Sequence, residues 1–189
     1  MPILVTAFGP FGGRVENASS LALRELRRTM PEIRTRILPV DAVQAPARLR
    51  QAIQRIRPTA VIMLGESGKT KKIQLEQTAW NSKDFFIPDI AGRIYKSIPV
   101  RRGAAECTHS TLPLEKILSE LLKKNHSVAM SENPGRYLCN QLFFCAMDFL
   151  STNGLDIPAG FIHLPLEKDL ATCRAADAIA EVIRILKNA

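Results

Sequence analysis

The residue of this chain whose position best suits nucleophilic chemistry is Cys139. It follows a short apolar stretch, residues 127–130, and a Pro-Gly turn within 133–136, and apolar residues then recur at helical spacing over 142–150. The pattern predicts strand, turn and helix, with the thiol in the first helical turn. Free N–H groups and the positive end of the helix dipole lie there, and both favour the nucleophilic thiolate. A small apolar residue in a first helical turn is the alternative interpretation.

A base for such a thiol is expected at the end of another strand. The chain has three histidines, and His163 follows the apolar run 160–162 and precedes Pro165. This position indicates either a core histidine or a base that faces Cys139. His126, in a polar turn before a strand, is expected to be solvated, and His109 is expected at the surface.

A carboxylate that orients the histidine would complete a catalytic triad. Glu76, within residues 73–81, is one candidate for this role. The sequence alone ranks it little above three other acids, Asp84, Asp89 and Glu106. The identity of the third group therefore stays open at this stage.

Two glycine-containing segments follow apolar strands and could bind a ligand. Residues 65–70 (GESGKT) look at first like a phosphate-binding loop, but Met63 stands where that motif needs its first glycine. Nucleotide binding is therefore not expected. Residues 8–13 (FGPFGG) could hold an anion through backbone amides, and their two phenylalanines suit an apolar ligand pocket at least as well.

The elements that must position these residues alternate between strands and helices. Strands are predicted at 3–7, 34–40, 60–64, 73–78, 127–130 and 160–164, and helices at 19–29, 45–56, 114–124, from 139 onward and at 171–187. Ser19 is the expected N-cap of the first helix. The alternation predicts a single-domain three-layer α/β/α sandwich over residues 1–189, with a mostly parallel twisted sheet. Active residues gather at strand ends in such sheets.

Composition and charge exclude several other classes of protein. The 189 residues include no apolar run long enough to span a bilayer and no leader of signal-peptide type, so we expect a cytoplasmic protein without membrane association. The net charge of +8 is dispersed over short clusters, and a nucleic-acid partner is not expected. The four cysteines lack metal-ligand spacing, so neither a metal site nor a disulfide framework is expected.

Taken together, these segments resemble pyroglutamyl peptidase type I (pyrrolidone carboxyl peptidase), a family of cysteine exopeptidases. The matching segments occur in the family's order and are 6–13 with Asn17, 65–73 with Glu76, Ala79 and Asn81, 87–89, 135–140, and 160–163 with Pro165. The resemblance implies an enzyme that needs neither metal nor cofactor and releases pyroglutamate from peptides with blocked N-termini. It also leaves a homo-oligomer, either a dimer or a tetramer, open.

The resemblance further implies roles for individual residues. Cys139 corresponds to the family's nucleophile, His163 to its base and acid, and Glu76 to the group that orients His163. The family's substrate-binding positions fall on Phe8, Phe11, Asn17, Ile87 and Tyr137.

Three arginines that are usual in the family are replaced here, by Thr70, Gln77 and Phe86. Two alternatives therefore stay open beside a pyroglutamyl peptidase. The first is a thiol hydrolase on the same scaffold that acts on another small N-acyl group. The second is a non-catalytic relative that binds peptides.

Overall fold

The computed structural model describes residues 2–188, in which helices cover both faces of one central sheet. The strands are β1 (Ile3–Phe8), β2 (Arg34–Leu38), β3 (Ala60–Glu66), β4 (Ile73–Glu76), β5 (Thr78–Trp80), β6 (Cys107–His109), β7 (Val128–Ser131) and β8 (Ala159–Leu164). The helices are α1 (Ala18–Thr29), α2 (Gln44–Ile56), α3 (Leu114–Lys123), α4 (Leu138–Thr152) and α5 (Thr172–Lys187). No helix within residues 2–188 combines the length and apolar character that crossing a membrane requires.

The central sheet has six strands in the order β2-β1-β3-β8-β4-β7. Its neighbours are parallel except for β4 and β8, which run antiparallel and place Glu76 opposite Phe161. β1 and β8 are buried along their whole length, as expected for inner strands covered on both faces. β5 and β6 form a separate antiparallel pair. The predicted α/β class with a mostly parallel sheet is confirmed.

Apolar side chains fill the space on both sides of the sheet. α1, α3 and α5 pack on one face, where Leu23, Ile117 and Ile179 are fully or almost fully buried. α2 and α4 pack on the other face through residues such as Leu49 and Phe143. Cys139 lies in the first turn of α4. The packing of α2 and α4 on this face therefore holds the thiol next to the ends of the central strands.

Two element boundaries differ from the sequence prediction, the start of α1 and the end of β3. Ser19 is not the N-cap of α1, because the side-chain oxygen of Asn17 accepts a hydrogen bond from the Ser19 amide at 3.0 Å and caps the helix instead. β3 does not stop at Leu64. It continues because Gly65 pairs with His163 of β8.

The stretch predicted as one strand over residues 73–78 belongs to two strands in two sheets. Gln77 separates β4 from β5, and its amide donates to the Ser131 carbonyl oxygen at 2.7 Å. After this residue the chain leaves the central sheet and pairs with β6. The prediction of a single strand was wrong because the change of pairing partner depends on β6, which lies about 30 residues further on.

His126 is buried in the turn between α3 and β7, where the sequence indicated a solvated side chain. The side chain is 1% exposed, and Nε2 lies 3.5 Å from a carboxylate oxygen of Asp177 on α5. The prediction was wrong because α5 covers this turn, and the polar residues around His126 in the chain give no sign of that.

Candidate active site

Glu76, His163 and Cys139 lie together at the ends of β4, β8 and the start of α4. His163 is buried, and its Nδ1 lies 2.7 Å from Glu76 Oε1. Cys139 lines the same cavity as both groups, and its thiol interacts with the imidazole. Carboxylate, imidazole and thiol therefore form one continuous set of interacting groups.

The charges of its neighbours control the protonation of His163. Burial alone lowers the pKa of the imidazole, but the negative charge of Cys139 and the hydrogen-bonded carboxylate of Glu76 outweigh burial. Together they raise the pKa of His163 to about 10. At neutral pH the ring is held as the imidazolium, which can donate a proton and can stabilise negative charge on the neighbouring sulfur.

Glu76 is the carboxylate that contacts His163, and the other candidate acids lie elsewhere: Asp84, Asp89 and Glu106. Asp89 is buried in a separate ion cluster, where Arg93 lies 3.2 Å from its carboxylate. The cavity that holds His163 is lined by neither of the other two. Within residues 2–188, no group of three His, Cys, Asp or Glu side chains could hold a metal ion.

A largely apolar cavity of about 310 Å³ opens on one side of the thiol. All five residues expected to bind substrate line it together with Cys139: Phe8, Phe11, Asn17, Ile87 and Tyr137. The volume lies at the lower end of the range for ligand sites in proteins. It therefore suits one small residue and not an extended segment.

Aromatic rings form one wall of this cavity. The Tyr137 ring lies 5.7 Å from that of Phe11 and 5.3 Å from that of Phe86, measured between centroids. The Tyr137 hydroxyl donates to the Pro88 carbonyl oxygen at 3.1 Å. Burial raises the pKa of Tyr137, so this hydroxyl stays protonated and ties the loop before Asp89 to the start of α4.

A second cavity of about 340 Å³ also borders the thiol, and most of the residues that line it are polar or charged. His163 and Glu76 line this cavity and not the first one. Cys139, Tyr137 and Phe86 line both. The thiol thus stands between a small apolar site and a polar one.

The start of α4 supplies amide donors beside the thiol. The first backbone hydrogen bond of the helix runs from the Gln141 amide to the Tyr137 carbonyl oxygen, so the amides of 138–140 have no acceptor within the helix. The buried side chain of Asn140 accepts from the Trp80 amide at 2.8 Å and fixes this end of the helix. The amides can therefore stabilise an oxyanion that forms next to Cys139.

Gly65 allows β3 to approach the thiol closely. A Cβ atom at this position would lie 2.9 Å from Cys139 Sγ and 2.7 Å from the Phe161 ring. Both distances are too short for a carbon side chain, so the site needs a glycine here. This close approach was not predicted from the sequence, although a glycine at a strand end is itself a signal of close approach.

Glu66 stands between the two cavities and was also missed from the sequence. Its side chain is 6% exposed, and one carboxylate oxygen pairs with Arg14. The other oxygen accepts from the Ala18 amide at the start of α1, at 2.7 Å. A negative charge is favourable there because the helix N-terminus carries partial positive charge. An acidic residue directly after an apolar strand is the signal that could have found it.

Comparison with known proteins agrees with this arrangement. The family model described as pyroglutamyl peptidase matches residues 1–178. The chain belongs to the pyroglutamyl peptidase family. A pyrrolidone-carboxylate peptidase of Coprothermobacter proteolyticus is 34% identical over 166 residues, which cover 86% of this chain and 80% of that protein.

Solved structures named for the same peptidase share the fold over nearly the whole chain. A mutant pyrrolidone carboxyl peptidase from Pyrococcus furiosus has a TM-score of 0.92 at 27% identity, covering 100% of this chain and 99% of that one. Pyroglutamyl peptidase I from Bacillus amyloliquefaciens has a TM-score of 0.89 at 28% identity, covering 96% and 94%. The resemblance to the pyroglutamyl peptidase family that the sequence indicated is confirmed.

Proposed function

We propose that this protein is a cysteine exopeptidase that hydrolyses the amide bond after an N-terminal pyroglutamate. The observation that carries the proposal is the set of Cys139, His163 and Glu76, which lies between a small apolar cavity and a polar one. Relatives that carry the name pyrrolidone-carboxylate peptidase support the same reaction.

The first cavity has the character that pyroglutamate requires. Pyroglutamate is a cyclised residue without an α-ammonium group, so a site cannot recognise it through a carboxylate as it would a free N-terminus. Phe11 and Tyr137 line the cavity with aromatic rings for the lactam ring, and the buried Asn17, whose Oδ1 caps α1, keeps its Nδ2 group as a donor for the lactam oxygen. A small apolar cavity with few polar anchors can select such a residue.

Acylation begins when the Cys139 thiolate attacks the carbonyl carbon of the pyroglutamyl residue. The carbon–sulfur bond forms, and the carbonyl oxygen becomes an oxyanion that amides at the start of α4 stabilise. The imidazolium of His163 donates its proton to the amine as the carbon–nitrogen bond breaks. The shortened peptide departs, and the pyroglutamyl group stays on the enzyme as a thioester.

Deacylation uses the same groups, but His163 now accepts a proton first instead of donating one. His163, now neutral, takes a proton from a water molecule whose oxygen attacks the thioester, and Cys139 leaves as thiolate while pyroglutamate is released. Because Nδ1 of His163 bonds to Glu76, Nε2 is the nitrogen that serves the thiol, the amine and the water. Glu76 thus orients the ring and stabilises its positive charge.

The test is release of aminomethylcoumarin from its pyroglutamyl amide by the purified protein under reducing conditions. We expect release by the wild type and none by Cys139→Ala. The matched control is Cys173→Ala, which removes an exposed thiol on α5 and should leave the rate unchanged. If Cys139→Ala, His163→Ala and Glu76→Gln all hydrolyse the substrate at the wild-type rate, the assigned roles are wrong.

A second candidate function keeps the same thiol and changes the acyl group. Phe86, at a position where the family usually has arginine, is 71% exposed and borders both cavities. An apolar ring at this place favours small acyl groups with more apolar surface than pyroglutamate. A panel of acyl-coumarin amides separates the two functions, because the preferred acyl group gives the highest kcat/KM.

We also propose, from the family resemblance, that the protein is cytoplasmic, that residues 1–189 form one domain, and that chains associate as dimers or tetramers. The four cysteines are free thiols, which suits a reducing compartment. Exposed apolar residues that follow Phe86, such as Ile90 and Ile94, could be covered by a second copy. Light scattering measures the mass in solution, and a single cooperative unfolding transition would support one domain.

A further inference from the structure

The second cavity carries positive charge that the peptidase mechanism does not use. Lys69 lies in the loop after β3 and Arg136 in the turn before α4, and both line this cavity beside His163. Among residues 2–188, no carboxylate forms an ion pair with either side chain, whereas the acids that line the cavity are paired with Arg14 and with His163. Two cations thus face the cavity without a protein counter-ion.

Arg136 is held in place by neutral groups. Its Nη1 donates to Asn133 Oδ1 at 3.0 Å and to the Gly135 carbonyl oxygen at 2.7 Å, and the guanidinium carbon lies 4.9 Å from the centroid of the Trp80 ring. These bonds use one nitrogen and leave further N–H donors for a ligand. Burial lowers the pKa of Arg136, as expected for a cation that has lost water and has gained no anion.

The acidic groups that line the cavity do not neutralise these cations. Glu66 pairs with Arg14 and with the amide at the start of α1. Glu76 pairs with His163, and the imidazolium balances this carboxylate, so only a charge on Cys139 is left to oppose the two cations. Lys69 and Arg136 therefore give the cavity a positive potential that attracts an anion.

The position of His163 decides which part of a substrate enters this cavity. The imidazolium must reach the leaving amine, and it lines the second cavity and not the first. With the lactam in the apolar cavity and the scissile bond at Cys139, the residue after pyroglutamate lies in the second cavity. The unpaired cations therefore face that residue.

Resting on the proposed function, we propose that the second cavity is a carboxylate-binding subsite in which Lys69 and Arg136 select peptides with an anionic residue after pyroglutamate. Two sources provide such a carboxylate close to the scissile bond: an Asp or Glu side chain, and the free C-terminus of a dipeptide. Arg136 acts as a fixed planar donor, and the exposed Lys69 as a mobile point charge.

The test compares kcat/KM for four substrates that differ in charge after pyroglutamate. They are pyroglutamyl-alanine amide, pyroglutamyl-alanine with its free carboxylate, pyroglutamyl-glutamate α-amide and pyroglutamyl-lysine amide. We expect about a tenfold preference for a carboxylate over the neutral amide, the lysine substrate to be the poorest, and the preference to fall with added salt. The two anionic substrates show which source of carboxylate fits.

Variants of Lys69 assign the preference to the cavity. We expect Lys69→Met to lower the ratio of kcat/KM for the anionic to the neutral substrate about tenfold, and Lys69→Glu to favour the lysine substrate. Lys71→Met is the matched control, because Lys71 lies in the same loop but does not line the cavity. In an active enzyme, equal ratios for the wild type and all three variants would overturn the proposal.

Alkylation of Cys139 tests the subsite without turnover. Iodoacetate and iodoacetamide both transfer their methylene carbon to the thiolate sulfur with loss of iodide, and iodoacetate alone carries a carboxylate. We expect Lys69→Met to lower the ratio of the iodoacetate to the iodoacetamide rate at Cys139 several-fold, and Lys71→Met to keep it. If the protein releases no pyroglutamate, the peptidase proposal fails and the ratio of alkylation rates tests the subsite by itself. A ratio that falls in Lys69→Met and not in Lys71→Met then supports the subsite. Equal ratios in the wild type and both variants overturn it.

Discussion

Glu76 Oε1 and His163 Nδ1 lie 2.7 Å apart, although 87 positions separate the two residues in the chain. The antiparallel pairing of β4 with β8 produces this contact, because Glu76 stands opposite Phe161, two residues before His163. The second oxygen of Glu76 is buried and has no hydrogen-bond partner among the described residues. Its charge therefore has the imidazolium as its stabilising partner, and the two groups depend on each other.

This dependence predicts the effect of Glu76→Gln on rate and on pH. We expect kcat to fall by about 10²- to 10⁴-fold, since the ring loses its orientation. The raised pKa of His163 keeps the ring charged until pH rises to about 10, so the alkaline limb of kcat/KM lies near that value in the wild type. A neutral amide stabilises the charge less, and the limb moves to lower pH. Rates with the coumarin substrate across pH measure both effects.

The matched control for this experiment is Glu106→Gln, which changes an exposed carboxylate outside both cavities. We expect its rate and its alkaline limb to match those of the wild type. If the limb of Glu76→Gln also stays in place, Glu76 does not act through the charge on His163.

The second prediction concerns the space beside the thiol. In Gly65→Ala the added methyl group would overlap the Phe161 ring and Cys139 Sγ, so one or both must move. We expect kcat to fall about 10²-fold because the thiol leaves its position for attack. We expect the free energy of unfolding to fall by about 1–3 kcal/mol because the core is overpacked. Steady-state kinetics and urea denaturation measure the two effects.

Gly160→Ala on β8 separates strain from catalysis. Its added carbon would lie 2.7 Å from Leu112 Cδ1 and would also overlap the Ser110 side chain, away from Cys139. We expect a comparable loss of stability with kcat of the folded protein close to the wild-type value. Equal losses of kcat in both variants would mean that strain in the sheet, and not displacement of the thiol, lowers the rate.

The parts of the site that could be predicted from sequence are those with a local signature. Cys139 lies between a turn and a helical pattern, and His163 lies between an apolar run and a proline. That the two groups meet does not follow from the ends of parallel strands, because β7 is parallel to β4 and β4 is antiparallel to β8, so the strands before Cys139 and around His163 run in opposite directions. The loop 132–137 between β7 and α4 brings the thiol to the cavity that His163 lines. The alternation of strand and helix patterns along the chain is a local signal of the same kind, and it predicted the fold class.

The choice of Glu76 among four carboxylates could not be made from residue patterns alone. It depends on the antiparallel pairing of β4 with β8, a contact between distant segments that periodicity within 73–78 does not record. Glu66 was missed for a similar reason, since its partner Arg14 lies 52 positions earlier in the chain. The polar cavity combines loops that follow β3 with the turn before α4, and no single segment indicates it.

The third prediction concerns the stability of the fold in acid. Burial lowers the pKa of His126 below its ordinary value of 6.5, Arg174 and Lys124 act in the same direction, and Asp177 and Glu181 oppose them. The unfolded chain therefore binds a proton at a higher pH than the folded protein does. The free energy of unfolding falls as pH decreases through about 6.5. Urea denaturation at a series of pH values measures the slope.

We expect His126→Gln to flatten this slope and His109→Gln, at an exposed histidine, to leave it unchanged. The pKa values of the Asp41 and Asp89 carboxyls are lowered below 3.8 by their hydrogen bonds and by Arg93, which outweigh burial, so their contribution is lost at much lower pH. A slope near pH 6 that persists in His126→Gln would assign acid lability to another group.

The last prediction concerns Phe86, whose ring is exposed and lies 5.3 Å from that of Tyr137, at the border of both cavities. A bound pyroglutamyl group would remove part of this ring from water, and burial of a whole phenyl side chain contributes about 1.5–3 kcal/mol. We expect Phe86→Ala to raise KM about tenfold with a smaller change in kcat, because the contact exists before and during the reaction.

Ile94→Ala, which shortens an exposed apolar residue in the same loop but outside both cavities, should leave KM unchanged. Phe86→Arg fills the same space with a charged group, so its KM distinguishes an apolar contact from one that only requires bulk. A KM for Phe86→Ala equal to that of Ile94→Ala would remove Phe86 from the substrate site.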